Sequence, residues 1–263
     1  MNPADLIDLD RYPITDDVSA DGQAFRMHSR LKFQHTGLLA LNGFLHEAAI
    51  AELAAEARAL EHHAHFVEST HNVYLATQLE DFAGEGPAAK GEHTFVGSVA
   101  YDRLPHGSRL RRLYQWDPLI AFIQSVLGTA ELHRFADPLG ACSINVYRDG
   151  GRHGWHFDES ELSVTLMLQA PESGGDFEYV AGIRHRHDEE AVLTRVLDGD
   201  CRETQHLPFT EGTLLIFNGQ QTLHRVTRVA GSRARLVPVL CFSERPDMFN
   251  SDEVRRYFWG RAG

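Results

Sequence analysis

The sequence predicts a mainly β domain of α+β type, a sandwich or barrel with helices of the N-terminal half packed outside it. Three observations carry that prediction. Helical periodicity is confined to the first half of the chain, short β-type runs replace it from Cys142 onward, and Gly and Pro punctuate those runs at short intervals. No repeat and no linker-like composition divides the chain, so 1–263 reads as one domain. Within it, 1–135 is a helical support region, 136–246 the β core and 247–263 a C-terminal segment.

The elements follow in order. Residues 45–61 are Ala-rich, and Leu45, Ala49, Leu53 and Ala57 recur on one helical face. Gly84, Gly86, Pro87 and Gly91 mark a loop. A second helix is expected from Ser108 to Leu127, stopped by Gly128 in the C-cap position, with Arg109, Arg111 and Arg112 on its solvated face. Strands are expected at Ser143–Tyr147, Leu162–Leu168, Asp176–Val180, Thr213–Phe217 and Leu236–Phe242. Between two of them lies a long polar insertion, 181–206, of the kind that often forms an active-site lid, although a charge run such as this one is more often a solvated face.

Composition narrows the function. A chain of 263 residues, 43% of them hydrophobic, can bury a full core. Its net charge of -12 argues against a nucleic-acid surface, which needs clustered Lys and Arg. Cys142, Cys201 and Cys241 are odd in number and lack CxxC spacing, so neither a disulfide framework nor a zinc knuckle is indicated. The acidic start lacks a signal-peptide pattern, and no apolar run approaches the ~20 residues that span a bilayer. A cytoplasmic protein without membrane partners is expected.

Two side chains two residues apart, His156 and Asp158, share strand parity and can grip one metal from the same side. His224 follows a run read as a strand and the turn-rich Asn218-Gly219-Gln220, so a neighbouring strand can deliver it to the same point. Two imidazoles and one carboxylate form the set that holds non-haem Fe(II) on one face and leaves the other open; the lack of a thiolate argues against structural zinc. Among 16 histidines and 37 acidic residues an HxD alone is weak evidence, and the surrounding residues decide its weight. The clusters His62, His63, His65 and His185, His187 lack flanking strand pattern and read as surface histidines. Trp155 reads as core.

From Asp137 to Phe242 the chain resembles the Fe(II)/2-oxoglutarate-dependent oxygenase superfamily. Five elements come in the family's order: Asn145-x-Tyr147 before the HxD; the HxD itself; Pro171-Glu-Ser-Gly174-Gly175-Asp-Phe; Phe209-Thr-Glu-Gly212 to Phe217; and His224-Arg-Val226 followed by Arg235. The resemblance implies a double-stranded β-helix (jelly roll, cupin-like), with Fe(II), 2-oxoglutarate and O2 as cofactor and co-substrates. It also implies contacts from Asn145 and Tyr147 to 2-oxoglutarate. The distal carboxylate of that co-substrate needs a cation, and Arg offers a fork that pairs it bidentately. Arg235 is preferred over Arg233, because it shares a strand face with Val237 and Val239.

More narrowly, Tyr147-Arg-Asp-Gly150, Gly154-Trp-His-Phe-Asp158, Val196-Leu-Asp-Gly-Asp200 and Ser243-Glu-Arg-Pro-Asp-Met248 resemble the branch of free-amino-acid radical halogenases and their hydroxylase relatives. In those halogenases a small residue replaces the carboxylate ligand and opens a place for chloride. Asp158 stands there in this chain, which implies hydroxylation. The same resemblance points to His153, Glu159 and Asp137 as residues holding a substrate amine, Glu159 also being readable as a solvent-facing loop acid. The leading expectation is a dioxygenase hydroxylating an unactivated carbon of a small amine-bearing molecule, with a free amino acid as first choice. The alternatives are a hydroxylase of protein or peptide residues, a nucleic-acid demethylase, which the charge disfavours, and a non-catalytic cupin-like binding module.

Overall fold

The computed structural model describes residues 2–78 and 84–262. After a 3-10 turn at Pro3–Leu6 come α1 (Ala20–Thr36), β1 (Leu38–Leu41), α2 (Glu47–Leu60), β2 (His65–His71) and β3 (Glu92–Val99). Then follow α3 (Arg109–Tyr114), α4 (Asp117–Leu127), β4 (His133–Arg134), β5 (Cys142–Tyr147), β6 (His153–His156), β7 (Leu162–Leu166) and β8 (Phe177–Val180). The chain closes with α5 (Glu189–Leu197), β9 (Gln205–Leu207), β10 (Leu214–Asn218), β11 (Leu223–Val226), β12 (Arg235–Leu240), β13 (Phe242–Ser243) and α6 (Asp252–Trp259).

A major sheet of order β1-β10-β7-β12-β5-β3-β2 faces a minor sheet of order β6-β11-β8-β9, and every described pairing is antiparallel. This is the expected jelly roll with helices outside it. Strand alternation assigns the two faces of the major sheet. Ile144, Val146, Val164, Leu166, Leu214, Ile216 and Leu236 enter the main core beneath Leu53 and Ala57 of α2 and Phe122 of α4. Their odd-numbered neighbours Asn145, Tyr147, Ser163, Thr165, Phe217, Arg235 and Val237 line a cavity between the sheets. One apolar face therefore anchors the scaffold while the other is free to carry chemistry.

Four expectations are corrected. The region 1–135 is not only helical support: β1, β2 and β3 extend the major sheet at both edges. The helix expected over 108–127 is two helices, because Pro118 lacks the N–H needed to continue the ladder; Trp116 adopts an extended N-cap conformation instead. Only Arg112 of its arginine face is fully exposed, since Arg109 pairs with Glu52 at 2.9 Å and Arg111 lies over the Tyr101 ring. The insertion 181–206 is no lid, for none of it lines the cavity. It folds α5, whose Val192, Leu193 and Val196 pack on Trp155, Phe157, Val180 and Leu223. Those residues occupy the minor-sheet face opposite His156 and His224, and Trp155 is core as expected.

Helix α1 had no apolar periodicity to reveal it. Its ends are nevertheless marked by an N-cap at Ser19, whose side chain accepts from Gly22 N, and a left-handed C-cap at Gly37. It attaches through Phe25, which stacks on Phe122 at 5.4 Å.

Candidate active site

Strand β11 pairs with β6 so that His224 lies directly opposite His156. Asp158 follows two residues beyond His156, past the end of β6, and its backbone N–H donates to Gly219 O at 3.1 Å. Its Oδ1 stands 3.4 Å from His156 Nε2 and 3.5 Å from His224 Nε2. Among the described residues these three form the one group able to hold a metal ion.

The imidazoles are set by the backbone. His156 Nδ1 lies 2.8 Å from Gly154 O and His224 Nδ1 lies 2.9 Å from Thr222 O. A carbonyl can only accept, so each Nδ1 carries the proton and each Nε2 turns its lone pair toward the shared point. Burial, and then the neighbouring His224, lower the pKa of His156 and favour its neutral, ligating form. Burial alone would raise Asp158, yet the two imidazoles hold its carboxyl well below the usual range. Phe177 and Phe217 pack on His224 and keep its surroundings dry.

His153 reaches the same cavity by a route that strand parity does not foresee. Its number has opposite parity to His156, but the β6–β11 register shifts between His224 and Val226, and His153 pairs with Val226. The extra residue turns its ring onto that of His156, 3.7 Å away between centroids. Its buried Nε2 has no hydrogen-bond partner, and burial lowers its pKa well below the ordinary value. Behind this pair, His71 Nε2 meets Thr94 Oγ1 at 2.6 Å, and Thr94 Oγ1 accepts from Gly154 N, bracing the peptide that orients His156.

On the facing sheet, Arg235 pairs in register with Tyr147, and Val237 with Asn145. The Arg235 side chain is 2% exposed, has no ion pair among the described residues, and leaves its Nε without a hydrogen bond. Its guanidinium lies 5.1 Å from the Tyr147 ring and 5.6 Å from that of Phe209. An unpaired buried cation calls for an anion. Arg233, by contrast, is exposed and paired with Glu211 at 2.7 Å. Glu159 is exposed at the rim of the cavity, which measures about 760 Å³.

Asp137 does not line that cavity, which corrects its reading as an amine acceptor. Fully buried, it accepts from Leu139 N, Asn250 N and Asn250 Nδ2 and stands 3.4 Å from Arg255 Nε. Its carboxylate is thus committed to the start of α6. That helix and the turn before it were not anticipated as part of the site, although Asn250, Val254, Phe258 and Trp259 wall the cavity. Ser163 and Gly219, both against Asp158, were also missed.

Residues 88–256 match the halogenase D family. The chain belongs to the halogenase D family. No curated protein matches it significantly. Among solved structures this family member is similar to SnoN, the non-haem, α-ketoglutarate-dependent epimerase of nogalamycin biosynthesis (17% identity, TM-score 0.59, covering 84% of this chain and 83% of that one). It is also similar to the carbocyclase SnoK of the same biosynthesis (14% identity, TM-score 0.58, 91% of each chain). A third is an oxidoreductase of the 2OG-Fe(II) oxygenase family from Burkholderia pseudomallei (18% identity, TM-score 0.53, 88% and 93%). The halogenase D chain thus has the fold of the Fe(II)/2-oxoglutarate oxygenases, and no helix of its described residues is long and apolar enough to cross a membrane.

Proposed function

We propose that the protein is an Fe(II)/2-oxoglutarate-dependent dioxygenase that hydroxylates an unactivated carbon of a small amine-bearing substrate, a free amino acid being the leading class. One observation carries the reading: the His156–Asp158–His224 cluster, with both imidazoles buried, and the unpaired Arg235 guanidinium line one cavity from opposite sheets. The donor set, with both Nε2 lone pairs converging on a carboxylate, fits Fe(II). The unpaired Arg235 fits the distal carboxylate of 2-oxoglutarate, and Asn145 and Tyr147 lie on the same face to contact its other polar atoms. Bound there, iron with 2-oxoglutarate and O2 supplies the power to convert C–H to C–OH, releasing succinate and CO2.

The chain's own residues bind, orient and exclude. Gly154 O and Thr222 O fix the imidazoles, and Arg235 sets the direction in which the co-substrate lies. Phe177, Phe209 and Phe217 keep water from the polar cluster. His153, neutral and without a protein partner at Nε2, is free to accept from a substrate N–H, while Glu159 at the rim offers a carboxylate to an ammonium group. Asp158 occupies the position where halogenases of this type carry a small residue, and this supports hydroxylation over halogenation. A second reading, hydroxylation of a residue in a peptide, is favoured by the openness of the rim at Glu159. It is in keeping with the fold shared with a prolyl hydroxylase in complex with a peptide fragment (12% identity, TM-score 0.53, 85% and 93% covered).

The test is anaerobic addition of Fe(II) and 2-oxoglutarate, read from the weak visible charge-transfer band, then oxygen with single amino acids and assay of succinate. A band with substrate-dependent succinate supports the proposal. A band without stimulated turnover moves the search to peptides. No band, with His224→Ala indistinguishable from the parent, leaves a binding module.

A further inference from the structure

We infer that Ser163 and Gly219 form a clasp that holds Asp158 to ligation through a single oxygen. The two carboxylate oxygens have different surroundings. Oδ1 faces both imidazole Nε2 atoms, while Oδ2 accepts from Ser163 Oγ on the neighbouring strand β7. Ser163 is buried, and the β7–β10 register pairs it with Phe217, which places its hydroxyl beside the Asn218-Gly219 turn. That turn also fixes the ligand's main chain, because Gly219 O accepts from Asp158 N.

Gly219 is the second half of the clasp. Its backbone is not in the positive-φ region, so conformation does not demand glycine here. Space does: a Cβ at this position would overlap Asp158 Oδ2 and stand 2.6 Å from Ser163 Oγ. Glycine at 219 therefore leaves the volume in which the hydroxyl and the outward oxygen meet. Gly219 looks like a turn glycine in the sequence, and in three dimensions it makes room for a ligand's hydrogen bond.

The functional consequence follows from counting positions. Two imidazoles and one carboxylate oxygen leave three of six octahedral positions, enough for a chelating keto acid and one more ligand. A carboxylate bound through both oxygens would leave two, and the keto acid alone would fill them. By engaging Oδ2, the clasp keeps the third position free. Ser163 and Gly219 are thus positioning residues that act through Asp158. The inference rests on the metal-centre reading above.

The experiment measures Co(II) binding to the metal-free protein by calorimetry, without 2-oxoglutarate, for the parent, Ser163→Ala, Ser163→Thr and Gly219→Ala, alongside thermal unfolding and the Co(II) visible spectrum. Losing an outer hydrogen bond to a ligand typically weakens metal binding by about 10–100-fold, and Ser163→Ala should show a loss of that size with little change in melting temperature. Ser163→Thr, which keeps the hydroxyl, should restore most of the affinity and the parent spectrum. Gly219→Ala should weaken Co(II) as Ser163→Ala does, by displacing the same oxygen. Parent-like affinity and spectrum in Ser163→Ala would overturn the clasp while leaving the metal centre standing. A parent that binds no Co(II) would overturn the metal centre itself, and the clasp with it.

Discussion

Replacing Arg235 by Met should move fold stability and co-substrate affinity in opposite directions. The guanidinium is 2% exposed, meets no carboxylate among the described residues and leaves Nε without a partner. Burial accordingly lowers its pKa from the ordinary arginine value. Stranding one charge of a buried pair costs about 3–5 kcal/mol. The rings of Tyr147 and Phe209, 5.1 and 5.6 Å from the guanidinium carbon, return up to about 2 kcal/mol. The remaining ~1–3 kcal/mol is a strain that Met, of similar length and without charge, removes. For a chain of this size that difference corresponds to a rise in Tm of roughly 2–5 °C for the ligand-free protein. The same change deletes the partner of the distal carboxylate, a loss of about 2–5 kcal/mol, or roughly 30-fold to several thousand-fold in 2-oxoglutarate affinity. Thermal unfolding of the Mn(II)-loaded protein with and without 2-oxoglutarate reads both effects. At about a hundred times its Kd the ligand should add ~2.7 kcal/mol to the parent and at most about 0.9 kcal/mol to Arg235→Met at that concentration. A variant that kept the ligand-induced shift would refute Arg235 as the anchor. A variant that melted well below the parent without ligand would refute the unpaired charge.

Three further outcomes are expected. Burial pushes His71 down to about 4, against about 6.5 in the unfolded chain, so between those values the unfolded state binds a proton that the native state refuses. Stability of the metal-free protein should therefore fall as pH drops from 6.5 toward 4, by about 1.4 kcal/mol per pH unit for this group, and His71→Gln should show a shallower slope in urea denaturation at pH 7, 6 and 5; equal slopes would count against it. Asp137→Ala should cost about 3–5 kcal/mol in equilibrium denaturation, because it leaves the buried Arg255 with only the exposed Asp252 carboxylate, 3.7 Å away, and frees the Asn250 turn; a loss below about 1 kcal/mol would show the contact to be incidental. Asp158→Gly should abolish hydroxylation of the substrate and make the Fe(II)/2-oxoglutarate absorption band sensitive to chloride, whereas parent-rate hydroxylation would remove Asp158 from the ligand set.

What could be read from the chain depended on how far apart in space and sequence each determinant lay. Alternation is local, so Asn145, Tyr147, Arg235 and Val237 fell on one face from spacing alone, and β12–β5 pairing then brought them together. The span between Asp158 and His224 was bridged by chemistry: few structures need two imidazoles and a carboxylate among apolar strands. Local spacing fails where a pairing alters it. His153 has the wrong parity for the cavity, and only the irregular β6–β11 register turns it inward. The family resemblance suggests Asp137 as a site acid, but Arg255 and Asn250, more than a hundred residues later, claim it. Ser163 and Gly219 look like an ordinary strand serine and an ordinary turn glycine. Their role exists only once β7 lies beside β10 and the turn after it, so that a hydroxyl from one and an empty volume from the other meet at a single carboxylate oxygen. Ligand identity is a property of residue type and can be read along the chain. Ligand geometry is a property of strand pairing and requires the fold.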